Sequence, residues 1–171
     1  ALGEPEASAL GEPEASAPGA HRIRDNGSYL ITGGLGALGM QVAQWLVDQG
    51  AGGVILASRR APQEDVIAQL DRWRASGTQV ATVQMDVTDA ESIRQALASL
   101  NDDVPPLAGV FHAAGVLADG VIADMTAEQF DRAAAPKAAG ALALHQALAD
   151  VPLEVFVMFS SMASVLGSPG Q

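Results

Sequence analysis

The run Tyr29-Leu30-Ile31-Thr32-Gly33-Gly34-Leu35-Gly36-Ala37-Leu38-Gly39 starts as an apolar, β-prone stretch, breaks into glycines and then opens an amphipathic pattern. That order predicts strand, tight turn, helix. Gly34, Gly36 and Gly39 stand at G-x-G-x-x-G spacing. In such a turn one glycine bends the chain, the next admits a pyrophosphate and the third lets helix pack on strand. The backbone N–H groups that open the helix would face the phosphates. Glycines are common in turns, so the surroundings have to carry the reading.

Working outward, apolar runs alternate with helical patterns. Leu38, Val42, Trp45 and Leu46 lie at i, i+4, i+7, i+8 and predict the buried stripe of the first helix, with Gly50 at its C-terminal cap. Strands are expected at Gly53 to Ser58, Gln79 to Met85, Leu107 to His112 and Glu154 to Ser160. Between them Pro62 suits the first turn of a second helix with Val66, Leu70 and Trp73 inward, closing at Gly77. Thr88 with Glu91 reads as a capping box for a third helix, with Ile93, Ala96, Leu97 and Leu100 inward. Thr126 with Gln129 opens a further helix to about Ala149, which Pro136 should kink or restart. The strands are continuous apolar runs, as expected of parallel strands buried between helical layers. Five β-α repeats give an α/β, Rossmann-type doubly wound parallel sheet, expected order 3-2-1-4-5, with ligand at the carboxyl ends of the strands. Its fifth strand would be a bare apolar edge, so the fold is expected to continue past Gln171 or to be covered by a partner.

Composition narrows the function. Nearly half of the 171 residues are hydrophobic, enough for a real core. A net charge of −11 with nine scattered Lys and Arg argues against a nucleic-acid or anionic-membrane surface. There is no cysteine, and His21, His112 and His145 show no ligand spacing, so a metal site is not expected. Neither a membrane span nor a signal peptide is visible, and a cytoplasmic location is expected. Residues 1–8, Ala-Leu-Gly-Glu-Pro-Glu-Ala-Ser, recur unchanged as residues 9–16. That composition cannot form a core, so residues 1–27 read as a flexible acidic linker and residues 28–171 as the folded unit.

The strand ends carry the candidate chemistry. About 20 residues after the glycines, where an NAD site offers a carboxylate to the ribose, the sequence has Ser58-Arg59-Arg60. Two guanidiniums there suit a 2′-phosphate and favour NADPH over NADH. Asp86 ends the third strand, and His112-Ala113-Ala114-Gly115 ends the fourth with small residues that let backbone approach a flat cofactor. His112 and His145 read as structural histidines.

Taken together, Thr32 to Gly39, Ser58-Arg59-Arg60, Asp86-Val87-Thr88-Asp89, His112 to Leu117, Pro136-Lys137 and Phe159-Ser160-Ser161-Met162-Ala163 resemble the ketoreductase domain of a modular polyketide synthase, in the short-chain dehydrogenase/reductase superfamily. The flavour of the sequence is similar to actinobacterial, and more loosely mycobacterial, synthases. The resemblance implies that Gly33, Gly34, Gly36 and Leu38 cradle the pyrophosphate, Arg59 and Arg60 the 2′-phosphate, Asp86 and Val87 the adenine, and Ala113, Ala114 and Gly115 the ribose side of the nicotinamide. Lys137 and Ser161 match the family's catalytic lysine and serine. The implied reaction reduces a β-ketoacyl chain tethered through phosphopantetheine to an acyl carrier protein, among neighbouring synthase domains.

The same resemblance puts the family's acid, a tyrosine, near position 174, beyond Gln171, so the chain as given is expected to bind NADPH but to reduce poorly. Leu117-Ala118-Asp119 keeps the last aspartate of the family's B-type triplet, and Leu166 replaces the A-type tryptophan. B-type stereochemistry is therefore expected. Two other readings stay open: a non-catalytic nucleotide-binding or scaffolding domain, and a stand-alone short-chain alcohol dehydrogenase.

Overall fold

The computed structural model describes residues 22–100 and 103–168; the tandem octapeptide lies outside them. Five parallel strands form one sheet: β1 (Ser28–Thr32), β2 (Gly53–Ser58), β3 (Gln79–Gln84), β4 (Leu107–His112) and β5 (Val155–Met158). Their order is β3-β2-β1-β4-β5, the expected doubly wound arrangement. Thr32 pairs with Ala57 on one side and His112 on the other, so the central strands end level along one edge.

Helices cover both faces. α1 (Ala37–Asp48) and α2 (Glu64–Ala75) pack on the side to which Tyr29, Ile31, Val54 and Leu56 point. α3 (Ala90–Ala98) and α5 (Gly140–Ala147) pack on the side of Leu30, Ile55 and Val110. The two-residue alternation along β1 thus feeds two cores at once. Each fully buried aliphatic side chain, such as Leu46 or Leu144, contributes about 1.5–3 kcal/mol. Before β1, the Arg24 N–H donates to the Tyr29 hydroxyl at 2.8 Å and the Arg24 guanidinium pairs with Glu154, tying the entry of β1 to that of β5.

Several expectations change in detail. The buried stripe of α1 is Gly39, Val42, Ala43 and Leu46. Leu38 and Trp45 are each 47% exposed, because the glycine turn sets the helix rotation so that small residues meet the sheet. Trp45 keeps one edge-on contact with Phe111, ring centroids 6.1 Å apart. α2 begins after Pro62, with Gln63 rather than a Pro-led turn at its N-cap. The N-cap of α3 is Asp89, whose side chain accepts from the Glu91 N–H, while Thr88 is engaged by Asp86 instead. In β3 only Val83 is buried and Val80 and Ala81 are half-buried, as in an edge strand covered less fully than its neighbours. β5 is shorter than expected, and its residues are half-buried or exposed.

The long helix expected after Thr126 is in three pieces. Thr126 and Gln129 form the expected capping box for α4 (Ala127–Ala134). A π-helical turn, Ala135–Ala139, follows and leads into α5. Pro136 has no N–H to complete an α-helical bond, and the widened turn accommodates it without ending the helix. α6 (Ala163–Leu166) is a single turn after β5. Among the described residues no helix is long and apolar enough to cross a membrane.

Candidate active site

The carboxyl ends of β1, β2, β3 and β4 surround a cleft of about 800 Å³. Its floor is the glycine turn. Gly33, with φ of 66°, bends the chain after β1, a task the spacing had given to Gly34. A Cβ on Gly33 would stand 2.8 Å from the Ala113 carbonyl oxygen, so this turn and the end of β4 lie backbone to backbone. Gly34 is buried against β2, where a Cβ would meet Leu56 Cα at 2.8 Å; it packs the turn and does not line the cleft. Gly36, the N-cap of α1, offers no side-chain cap, and the first turn of α1 holds no acidic residue. Its N–H groups are therefore left for an anion.

Ser58, Arg59 and Arg60 form one wall. The Gln84 side-chain amide donates to the Arg59 carbonyl at 2.8 Å, and the Arg60 N–H donates to Ser58 Oγ at 3.3 Å, which fixes the backbone of this corner. Both arginines are exposed, and among the described residues neither guanidinium has a hydrogen-bonded or ion-paired partner. Next to them, past the end of β3, stand Asp86 and Val87. Asp86 Oδ1 accepts from the Thr88 N–H at 2.9 Å and the Thr88 hydroxyl at 2.7 Å. Those two bonds, the backbone one foremost, hold its carboxyl below the ordinary carboxylate range; partial burial opposes them and the charge of Arg59 adds to them.

Ala113, Ala114, Gly115 and Val116 close the β4 side, joined by Arg132, Ala135 and Pro136 from α4 and the π-turn. Beneath them lies a buried polar chain: Thr32 Oγ1 is 2.7 Å from His112 Nδ1, and the Ala114 N–H donates to Thr32 Oγ1 at 3.2 Å. His112 Nε2 is 3.4 Å from the Lys137 carbonyl oxygen. Burial pushes the His112 pKa below its ordinary value, against the pull of the Lys137 and Pro136 carbonyls.

The structure thus brings Gly33, Gly36, Leu38, Ser58, Arg59, Arg60, Asp86, Val87, Ala113, Ala114 and Gly115 to one cleft. Lys137 lies at its rim: a Cβ on Gly115 would be 3.6 Å from Lys137 Cε. Ser161 is exposed beyond β5, where its Oγ accepts from the Ala163 N–H at 3.2 Å, and does not line the cleft. Asp119 and Leu166 are exposed and stand outside it as well. Arg132 and the Thr32–His112 pair were not singled out from the sequence. The adjacency of β1 and β4 in the expected strand order was the signal that could have placed Thr32 beside His112.

A glycine-turned βαβ unit with an anion-ready helix start and ligand cleft at the strand ends defines a nucleotide-binding Rossmann fold. The family model for the KR domain matches residues 27–171. The chain is 44% identical over 158 residues to a 6-methylsalicylic acid synthase of Arthrobotrys oligospora, an alignment covering 85% of this chain and 9% of that protein. It is 41% identical over 152 residues to a mycocerosic acid synthase-like polyketide synthase of Mycobacterium tuberculosis, covering 89% and 7%. Among solved structures, an N-terminal ketoreductase from the macrolactin assembly line superposes with a TM-score of 0.81 at 32% identity, covering 88% of this chain and 31% of that one. A structure of A-type ketoreductases from a modular polyketide synthase gives 0.79 at 39% identity, covering 90% and 33%. The chain therefore belongs to the ketoreductase domains of polyketide synthases, a family of oxidoreductases that bind a nicotinamide cofactor. It spans less than a tenth of the length of these two synthases.

Proposed function

We propose that residues 28–171, preceded by a linker over residues 1–27, form the NADPH-binding part of a β-ketoacyl reductase acting on chains carried by an acyl carrier protein. The observation that supports this best is the pair of guanidiniums, Arg59 and Arg60, without partners among the described residues, at the corner of a cleft floored by a glycine turn. The residues present fit the cofactor. Gly33 and Gly36 leave backbone where a Cβ would intrude, the start of α1 and the two arginines suit phosphates, and Ala113 to Gly115 leave a flat wall. When bound, NADPH supplies a hydride to the β-keto carbon.

In this reading Gly33, Gly36 and Leu38 hold the pyrophosphate, with Gly34 behind them. Arg59 and Arg60, with Ser58, hold the 2′-phosphate, and Asp86 and Val87 border the adenine. Lys137 holds the cofactor ribose and favours ionisation of a neighbouring tyrosine acid, while Ser161 donates a hydrogen bond to the oxygen that gains charge. Asp119, with leucine at 166, gives B-type stereochemistry. The partners are a phosphopantetheine-bearing carrier protein and neighbouring synthase domains, in a cytoplasmic multienzyme.

The test is NADPH oxidation with a β-ketoacyl thioester by the longest natural polypeptide that contains this chain, with chiral analysis of the hydroxyacyl product. Turnover should need NADPH and fall at least a hundredfold in Lys137→Ala and Ser161→Ala, near the range for lost acid–base or oxyanion groups, roughly 10²–10⁴. Tight NADPH binding without turnover would favour the second reading, a nucleotide-binding scaffold. That reading draws on the position of Ser161 outside the cleft.

A further inference from the structure

We propose that His112 is a positioning residue for Lys137, acting through a one-way hydrogen-bond chain that links the glycine-turn strand, the wall of the cleft and the π-turn. The inference rests on the cofactor role given to Lys137 above.

The two ends of the chain fix its direction. The Ala114 N–H can only donate, so Thr32 Oγ1 accepts there and its own proton is free to be given elsewhere. The Lys137 carbonyl can only accept, so His112 Nε2 carries the proton in the bond between them. In a neutral ring Nδ1 is then bare, and the Thr32 hydroxyl donates to it across 2.7 Å. Ala114 N–H to Thr32, Thr32 to His112 and His112 to Lys137 O run in one sense, with each atom in a role it can fill. An imidazolium would put a proton on Nδ1 facing the hydroxyl and deprive Thr32 of its acceptor. Burial, which keeps the ring below its ordinary pKa, favours the neutral form that the chain requires.

The packing around the ring is built for this contact. Thr32 is 1% exposed and His112 5%, so neither has water as a substitute partner. Gly140 lets α5 approach: a Cβ there would stand 3.0 Å from Val87 Cγ1 and 3.4 Å from His112 Cε1. The Gly140 N–H donates to the carbonyls of Ala135 and Lys137, so the Lys137 carbonyl is held from within the helix and from β4. The lysine backbone is thereby pinned to the strand whose next residues, Ala113 to Gly115, form the cleft wall. Its side chain is left beside Gly115. His112 does not line the cleft and works through where it puts Lys137.

The chain is tested first by the ring itself. Long-range ¹H–¹⁵N spectra of the chain at neutral pH should show His112 with Nε2 protonated and Nδ1 bare. Next come His112→Leu, which removes both bonds, and His112→Gln, whose amide can accept and donate. NADPH affinity should fall about tenfold in His112→Leu, the scale of one or two lost hydrogen bonds, and largely recover in His112→Gln. In a Lys137→Ala background His112→Leu should cost nothing further. With Lys137→Ala impaired, the opposite tautomer, an imidazolium, or losses that add would overturn the proposal alone. Lys137→Ala binding NADPH as well as the parent would overturn the proposal together with the role of Lys137, whatever the tautomer. If His112→Leu does not fold, the spectra and the His112→Gln affinity decide.

Discussion

Replacing Gly39 with alanine sets two effects of opposite sign against each other. Gly39 lies in the first turn of α1, where alanine is favoured over glycine by about 1 kcal/mol. The structure opposes that gain. A Cβ on Gly39 would stand 2.3 Å from the Gly33 carbonyl oxygen, 2.6 Å from Gly34 Cα and 2.9 Å from the Gly33 carbonyl carbon. Non-bonded heavy atoms settle at about 3.5 Å or more, so helix and turn must part by about 1 Å. All three obstacles are backbone and cannot swing aside. Overpacking costs about 1–3 kcal/mol, and an obstruction by backbone belongs at the upper end. The net loss is about 2 kcal/mol, or about 4–8 °C in Tm for a domain of this size. Calorimetry on Gly39→Ala, beside two controls, measures it. Gly50 has φ of 81° and, among the described residues, nothing within 4 Å of its Cβ position, so Gly50→Ala should lose only about 1 kcal/mol through backbone strain. Gly120 has no positive φ and, among the described residues, nothing within 4 Å of its Cβ position, so Gly120→Ala should leave Tm within about 2 °C. A Gly39→Ala chain as stable as its parent would refute the claim that the helix–turn contact, and not helix propensity, dictates the residue there.

Arg59→Ala and Arg60→Ala should each weaken NADPH binding about tenfold, a charge-assisted bond reduced by solvent exposure, and leave NADH binding unchanged; titrations with both cofactors check this, and equal losses for the two would contradict it. Thr88→Val removes the hydroxyl bond to Asp86 and should raise that carboxyl towards its ordinary value in a ¹³C titration. Because the folded pKa is depressed, Asp86 stabilises the fold above its unfolded pKa, and that stability is lost as pH falls through the folded pKa. In Thr88→Val the loss should be smaller and finish at a higher pH. Asp89→Ala should cost about 1 kcal/mol by removing the N-cap of α3, visible in chemical denaturation as a lower midpoint with unchanged slope.

The strands were legible because local patterning decides them: Leu107 to His112 and Gly53 to Ser58 are apolar runs, and both strands have those bounds. Their order followed from the β-α alternation and the handedness of its crossovers. Most of the cleft was legible too, since a parallel sheet brings every strand's carboxyl end to one edge, and the residues just past each end could be read off in order. What escaped depended on rotation. Leu38 and Trp45 looked inward by periodicity, yet the close approach of Gly39 to Gly33 turns Gly39 and Ala43 towards the sheet in their place, with Val42 and Leu46 buried as expected. Thr88 matched a capping box, but α3 starts one residue later and Asp89 caps it, while the Thr88 hydroxyl donates to Asp86. The Thr32–His112 contact joins residues 80 apart, so only the strand order could reveal it.

The π-turn at Ala135–Ala139 has a consequence for how this stretch can vary. A π-turn is an α-helix carrying one residue too many, equivalent at the level of the gene to one extra codon. Losing one residue from this turn would restore an unbroken α-helix whose two halves keep the faces they now present, whereas losing one from a regular α-helix turns everything beyond it by about 100°. Ala143 and Leu144 would stay buried against the sheet. The change would fall on the backbone around Lys137, inside the turn, where the widened hydrogen-bond pattern would close up. The extra residue therefore shapes the rim of the cleft and leaves the packing of the helix on either side alone.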